Sequence, residues 1–136
     1  MKKQKILLTA IFLFTIIPFS DLKPDDVNLK NFIIWSHSDI QPKNNDHLTN
    51  FPVAVNDIAA NFDYIDIAIT AGDIVEKKNS SDLYISYLET RKKVKTGGWF
   101  VIAGNHECKD IETYKKIINP RLHYSVKAGN ILILFM

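Results

Sequence analysis

With one cysteine, Cys108, in 136 residues, the chain can form no intrachain disulfide, so its stability must come from a packed core. Glycine and proline are sparse at five each, and no low-complexity or repeated stretch occurs, which excludes collagen-like, linker-like and solenoid chains. No G-x-G-x-x-G or G-x-x-x-x-G-K-[ST] sequence is present. A nucleotide-binding α/β domain is therefore the weakest of the readings open to this chain. No apolar run reaches the roughly 20 residues of a membrane-spanning helix. An excess of one charge is missing too. The formal net charge of +2 arises from Lys2, Lys3 and Lys5, and from Asp21 onward 14 basic residues face 15 acidic ones. No electrostatic signal for nucleic acid survives that balance.

What is present begins with an apolar stretch, Ile6 to Ile17, behind the three lysines. This is the layout of a secretory signal, so residues 1–20 are set aside from the fold and the protein is expected to be exported. Pro18-Phe19-Ser20 is a poor small-x-small cleavage site, which keeps an uncleaved N-terminal membrane tether open as the alternative. A buried core helix is disfavoured because the stretch has no polar face. Residues 21–31, with Pro24, Asp25, Asp26 and two lysines, read as a polar linker. The expected domain is 32–136, and 46% hydrophobic with 24% charged residues is ordinary composition for one globular unit.

Within it the pattern alternates. Phe32-Ile33-Ile34-Trp35 reads as a strand, followed by a loop from Ser36 to Asn50. Phe51, Val55, Ile58, Ala59 and Phe62 then recur at helical spacing with Pro52 in the first turn. Ile65 to Thr70 is a second strand. Ser80 or Ser81 can cap a second helix that has Asp82 in its first turn and Arg91 to Lys95 at its end, before Gly97-Gly98. Tyr84, Tyr87, Leu88 and Val94 are assigned to its inner face as packing rather than ligand contacts. Trp99 to Ile102 is a third strand, and a short helix from Asp110 ends before Asn119-Pro120. His123 to Val126, Ala128-Gly129-Asn130 and Ile131 to Met136 read as strand, turn and strand. The order β-α-β-α-β-α-β-β argues for an α/β fold with a mainly parallel sheet and right-handed crossovers, finished by an antiparallel pair. The last strand is wholly apolar, which leads to the expectation that more protein covers its edge.

Each of the first three strands is followed by metal-binding residue types: Ser38-Asp39-Ile40-Gln41, Ala71-Gly72-Asp73 and Gly104-Asn105-His106-Glu107. In a parallel sheet the carboxyl ends of the strands open on one edge, so three loops distant in sequence can meet there. Taken singly, Asp and Asn at strand ends are common turn residues. Together, carboxylates, amide oxygens and an imidazole supply the converging donors that a divalent cation needs.

Those motifs resemble the calcineurin-like metallophosphoesterase superfamily, whose successive elements are Asp-x-His, Gly-Asp, Gly-Asn-His-Asp/Glu, a lone His and Gly-His-x-His. The resemblance covers about 32–136 and implies half of a metallophosphoesterase-type α/β sandwich. It implies hydrolysis of a phosphomonoester or phosphodiester by metal-activated water, with two divalent ions in a complete site. By position, Asp39 would hold the first metal, Asp73 would bridge, Asn105 would hold the second, and His106 would protonate the leaving group. Gln41 stands where the family usually has histidine, which replaces a nitrogen donor by an amide oxygen and weakens the first position. The two later histidine motifs do not occur in the 136 residues, so the chain is expected to be an N-terminal fragment of such a domain.

The oxygen-rich donor set favours Mg²⁺, Mn²⁺ or Ca²⁺ over softer preferences, while Mn, Mg, Fe and Zn are all left open by the resemblance. Glu107 is read as orienting His106 or a neighbouring loop. His37, His47 and His123 are read as surface histidines without a role. The partner expected is a phosphate ester, and the oligomeric state is not readable. The alternative function is a catalytically silent remnant that binds a cation or a partner.

Overall fold

The computed structural model describes residues 31–42, 44 and 50–136. The export segment, all of the linker except Asn31, and His47 therefore lie outside the described residues. The element order is β1 (Ile34–His37), α1 (Asn50–Asn61), β2 (Ile67–Ala71), α2 (Ser81–Arg91), β3 (Trp99–Ile102), a short 3-10 turn (Glu107–Asp110), α3 (Ile111–Ile117), β4 (Tyr124–Ala128) and β5 (Ile131–Phe135). No helix among the described residues is long and apolar enough to cross a membrane.

Strands β1, β2 and β3 form a parallel sheet in that spatial order, with Ile34 opposite Ile67 and Ala68 opposite Trp99. Parallel neighbours need helical crossovers, and these cover one face of the sheet. Phe51 and Val55 of α1 with Leu83, Tyr84 and Tyr87 of α2 pack there against Ala68, Val101, Trp35 and Trp99. On the opposite face Ile69, Phe100 and Ile102 meet Tyr124, Val126 and Phe135 of the β4–β5 hairpin. The central strand β2 is consequently covered on both sides, which is why it reads as a nearly continuous apolar run.

The architecture is thus helices, parallel sheet, antiparallel hairpin, as expected of half a metallophosphoesterase sandwich. Three details differ from the sequence reading. The hairpin forms its own two-stranded sheet stacked on the first instead of extending it, because Tyr124 and Val126 alternate inward onto the face left open by the helices. Strand β1 begins at Ile34 and runs through His37, two residues later than the apolar run suggested. Before it, the Ile33 N–H donates to Asp66 Oδ2 at 2.8 Å and the Ile33 carbonyl accepts from Asp66 and Ile67, which anchors the approach. Finally, Ser80 holds the N-cap position of α2 without a side-chain cap, since its hydroxyl donates to the Lys77 carbonyl at 2.7 Å. Asp82 and Arg91 still sit at the ends that suit the helix dipole.

Candidate metal centre

The loops after β1, β2 and β3 leave the sheet at one edge, and unusual backbone angles mark two of them. Asp39 and Gln41 have φ of 55° and 37°, Asp73 has 55°, and Gly72 has 85°. A residue with Cβ pays about 1–3 kcal/mol to hold such a left-handed conformation, and three of them close together indicate a constraint beyond turn-making. The two loops are joined by backbone bonds, Asp39 N–H to the Gly72 carbonyl at 3.4 Å and Gln41 N–H to the Asp73 carbonyl at 3.2 Å. Against them lies the third loop. A Cβ at Gly72 would stand 2.7 Å from Gly104 Cα, and one at Gly104 would stand 2.1 Å from Asp73 Oδ1. Only paired glycines permit this approach.

Asp73 is the hub of the cluster. Its Oδ2 accepts from Gln41 Nε2 at 2.9 Å and its Oδ1 accepts the His106 N–H at 3.1 Å, so residues from all three loops meet at one carboxylate. Beneath it Glu107 is completely buried. Its carboxylate accepts four backbone N–H groups, from Asp73 at 2.7 Å, Ile74 at 2.9 Å, Val75 at 3.3 Å and Gly104 at 2.8 Å. Those donors balance the desolvation of the charge and lock the second loop to the third. Glu107 orients a neighbouring loop, as its position after His106 suggested.

His106 packs at the outer side of the hub. Its Nδ1 lies 3.0 Å from the Glu76 carbonyl, 3.5 Å from Glu76 Oε2 and 3.2 Å from Lys109 Nζ. Neither Glu76 nor Lys109 was singled out in the sequence. Glu76 follows Asp73 by three residues, and Lys109 follows His106 by three across the 3-10 turn, the spacing that places side chains on one face. Asp39 is exposed and accepts from Ser38 Oγ, while Asn105 is exposed between Gly104 and His106.

The donor types are those a hard divalent cation takes. Asp39, Asp73, Asn105 and, after a half-turn of its amide, Gln41 would present carboxylate and amide oxygens at one sheet edge. Among the described residues, however, no group of three or more His, Cys, Asp or Glu side chains is arranged to hold a metal. The set therefore depends on the amides of Gln41 and Asn105.

His37 corrects the sequence reading. It is not a loop histidine but the last residue of β1, half-buried among Trp35, Phe51 and Trp99, with ring centroids 4.9, 5.1 and 5.8 Å away. Its Nε2 lies 3.1 Å from Thr70 Oγ1, which also meets the Tyr87 hydroxyl at 2.7 Å and accepts from Trp99 Nε1 at 2.9 Å. Burial lowers its pKa to about 4, so the ring is neutral at ordinary pH. Its partners come from three distant segments, which no local pattern around residue 37 reveals. His123 is exposed, as expected.

A parallel sheet whose three strand-end loops meet at one carboxylate, with the Gln41 amide and the His106 N–H bonded to Asp73, has its site where α/β enzymes place theirs. The chain belongs to the calcineurin-like phosphoesterase family, whose model matches residues 20–133. No curated protein and no solved structure matches it.

Proposed function

We propose that the domain at 32–136 hydrolyses phosphomonoesters or phosphodiesters at the sheet edge whose loops carry Asp39, Gln41, Asp73, Asn105 and His106, in a protein exported or tethered through residues 1–20. The observation that carries this reading is the convergence of three separate loops on the Asp73 carboxylate. Asp39 and Asp73 would hold the cation with Gln41 and Asn105 completing the oxygen set. Divalent cations bound there supply charge to stabilise phosphoryl oxygens and lower the pKa of water.

The chain's own residues do the rest. Glu107 fixes the position of Asp73 through backbone N–H groups, so the carboxylate needs no reorganisation when substrate arrives. His106 Nδ1 lies 3.0 Å from the Glu76 backbone carbonyl, a contact that orients the ring and leaves Nε2 as the nitrogen that would deliver a proton to the departing oxygen. Lys109 places a positive charge beside the same ring, suited to an anionic ester.

A second reading, a silent domain that binds a cation without turnover, is favoured by Gln41 at the usual histidine position and by the short supply of ionisable donors among the described residues. One experiment separates them. The full chain is assayed on aryl phosphomonoesters and phosphodiesters with Mn²⁺ or Mg²⁺, beside Asp73→Asn and His106→Ala. Metal-dependent turnover lost in Asp73→Asn supports the first reading, and His106→Ala should then slow esters with poor leaving groups by about 100-fold while sparing good ones. Cation binding in calorimetry without turnover establishes the second.

A further inference from the structure

Away from the metal edge, a cavity of about 200 Å³ opens along the flank of β3 that no described strand pairs with, lined by Arg91, Trp99, Val101, Asn119, Arg121 and Tyr124 among others. It shares no residue with the Asp73 cluster. Arg91 and Arg121 both contribute to its wall. Arg91 Cζ lies 5.6 Å from the centre of the Tyr87 ring and 5.7 Å from that of Trp99, and Arg121 Cζ lies 5.8 Å from that of Tyr124. Aromatic faces therefore hold both side chains at the cavity wall.

Neither arginine has a carboxylate partner among the described residues. The ion pairs among the described residues are Lys92–Glu89, Lys115–Glu112 and His106–Glu76. Guanidinium is charged at every working pH, so two cationic residues line a partly enclosed volume with no acidic side chain in its lining. Such an arrangement is relieved by an anion held between them, and the planar fork of arginine matches oxyanions in a bidentate manner. The other polar groups of the wall are already engaged. The Tyr124 hydroxyl and Asn119 Nδ2 bond to Val101, and the Asn119 side-chain oxygen accepts from the Arg121 N–H, which fixes the turn that carries Arg121. Strand alternation turns the Trp99 N–H to the same flank as that of Val101, adding a backbone donor.

We propose that this cavity is a second anion site, built for a dianionic phosphoryl group, either as inorganic phosphate or as the phosphate of a small ester. The charge of two guanidiniums balances a dianion, and the cavity leaves room for a substituent on the phosphate. The site lies on the flank of the sheet, so its occupation does not require the metal edge to be filled.

The test uses the full chain in EDTA, which removes metal-dependent phosphate binding. Inorganic phosphate and the non-hydrolysable phenylphosphonate are titrated separately by calorimetry, with Trp99 fluorescence as a second readout. The wild type should saturate. Arg91→Gln and Arg121→Gln should each weaken binding at least 10-fold, the effect of losing a charge-assisted hydrogen-bond pair. Arg121→Lys, which keeps the charge and loses the fork, should fall between. Asp73→Asn should bind as the wild type does. Phosphate binding without phenylphosphonate binding identifies the free ion as the ligand, and tighter phenylphosphonate binding identifies an ester. Unchanged affinity in folded Arg91→Gln and Arg121→Gln overturns the proposal, as does loss of binding in Asp73→Asn. Saturation only above about 10 mM means an adventitious ion only and likewise overturns it.

Discussion

The Glu107 carboxylate accepts the Asp73 N–H at 2.7 Å, so the residue that follows the third-loop histidine fixes the backbone of the second-loop aspartate. Three further N–H donors, of Ile74, Val75 and Gly104, meet the same group. Glu107→Gln keeps the volume but turns an amide NH₂ toward donors that need an acceptor. A loss of about 2–3 kcal/mol in stability is expected, with the loss exceeding that of Glu112→Gln, whose parent side chain is exposed. Urea denaturation of the metal-free proteins checks it, and equal midpoints for the two variants would refute the clamp.

The contact between the glycines at 72 and 104 yields a second prediction. Gly104→Ala brings Cβ to 2.1 Å from Asp73 Oδ1 and 2.6 Å from Asp73 N, so the carboxylate must move away from Gln41 and the His106 N–H. Mn²⁺ affinity measured by calorimetry should fall at least 10-fold. Gly72→Ala meets the Gly104 backbone itself and must also hold φ of 85°, and should cost about 1–3 kcal/mol in stability besides. Wild-type metal binding in Gly104→Ala would show that Asp73 is not a ligand.

Much of this arrangement is visible in the sequence because strand-end motifs are local. Trp99–Ile102 followed by Gly104-Asn105-His106-Glu107 states a strand, a tight turn and a donor set in nine residues, and β3 appears with those bounds. What is not local could not be read. The acceptor role of Glu107 depends on N–H groups more than 30 residues away, and His37 is buried by Phe51 and Trp99, which only the folded sheet brings near. The hairpin was legible from its turn residues and apolar strands. Its stacking was not, because alternation tells which side chains point inward but not which face they meet.

The position of His37 makes stability dependent on pH in the acid range. Its folded pKa, about 4, lies below the unfolded value near 6.5, because burial disfavours the charged ring. Between those values the unfolded chain binds a proton that the folded chain does not. The contribution is therefore fully present above about pH 6.5 and is lost as pH falls toward 4. Allowing for partial solvent contact, about 1–2 kcal/mol should disappear across that window in EDTA. His37→Gln, which can still bond Thr70 but does not titrate, should flatten this part of the profile. An unchanged slope would assign it to other groups.

The last prediction concerns the flank of β3 away from β2, where, among the described residues, a tyrosine stands in for a neighbouring strand. The Tyr124 hydroxyl accepts the Val101 N–H at 2.8 Å and donates to the Val101 carbonyl at 2.7 Å, closing both backbone groups of a buried residue. Tyr114 donates to the same carbonyl at 3.2 Å and Asn119 at 3.3 Å. The carbonyl therefore has three donors and the N–H has one acceptor. Tyr124→Phe leaves the N–H without a partner in a buried place, whereas Tyr114→Phe leaves the carbonyl with two of its donors. Stability should fall by about 1–3 kcal/mol in the first variant and by less than about 1 kcal/mol in the second. The same asymmetry should appear in hydrogen exchange, with the Val101 amide losing protection in Tyr124→Phe and keeping it in Tyr114→Phe. Equal losses in both would mean that ring packing against Phe135, and not closure of the strand edge, is what Tyr124 supplies.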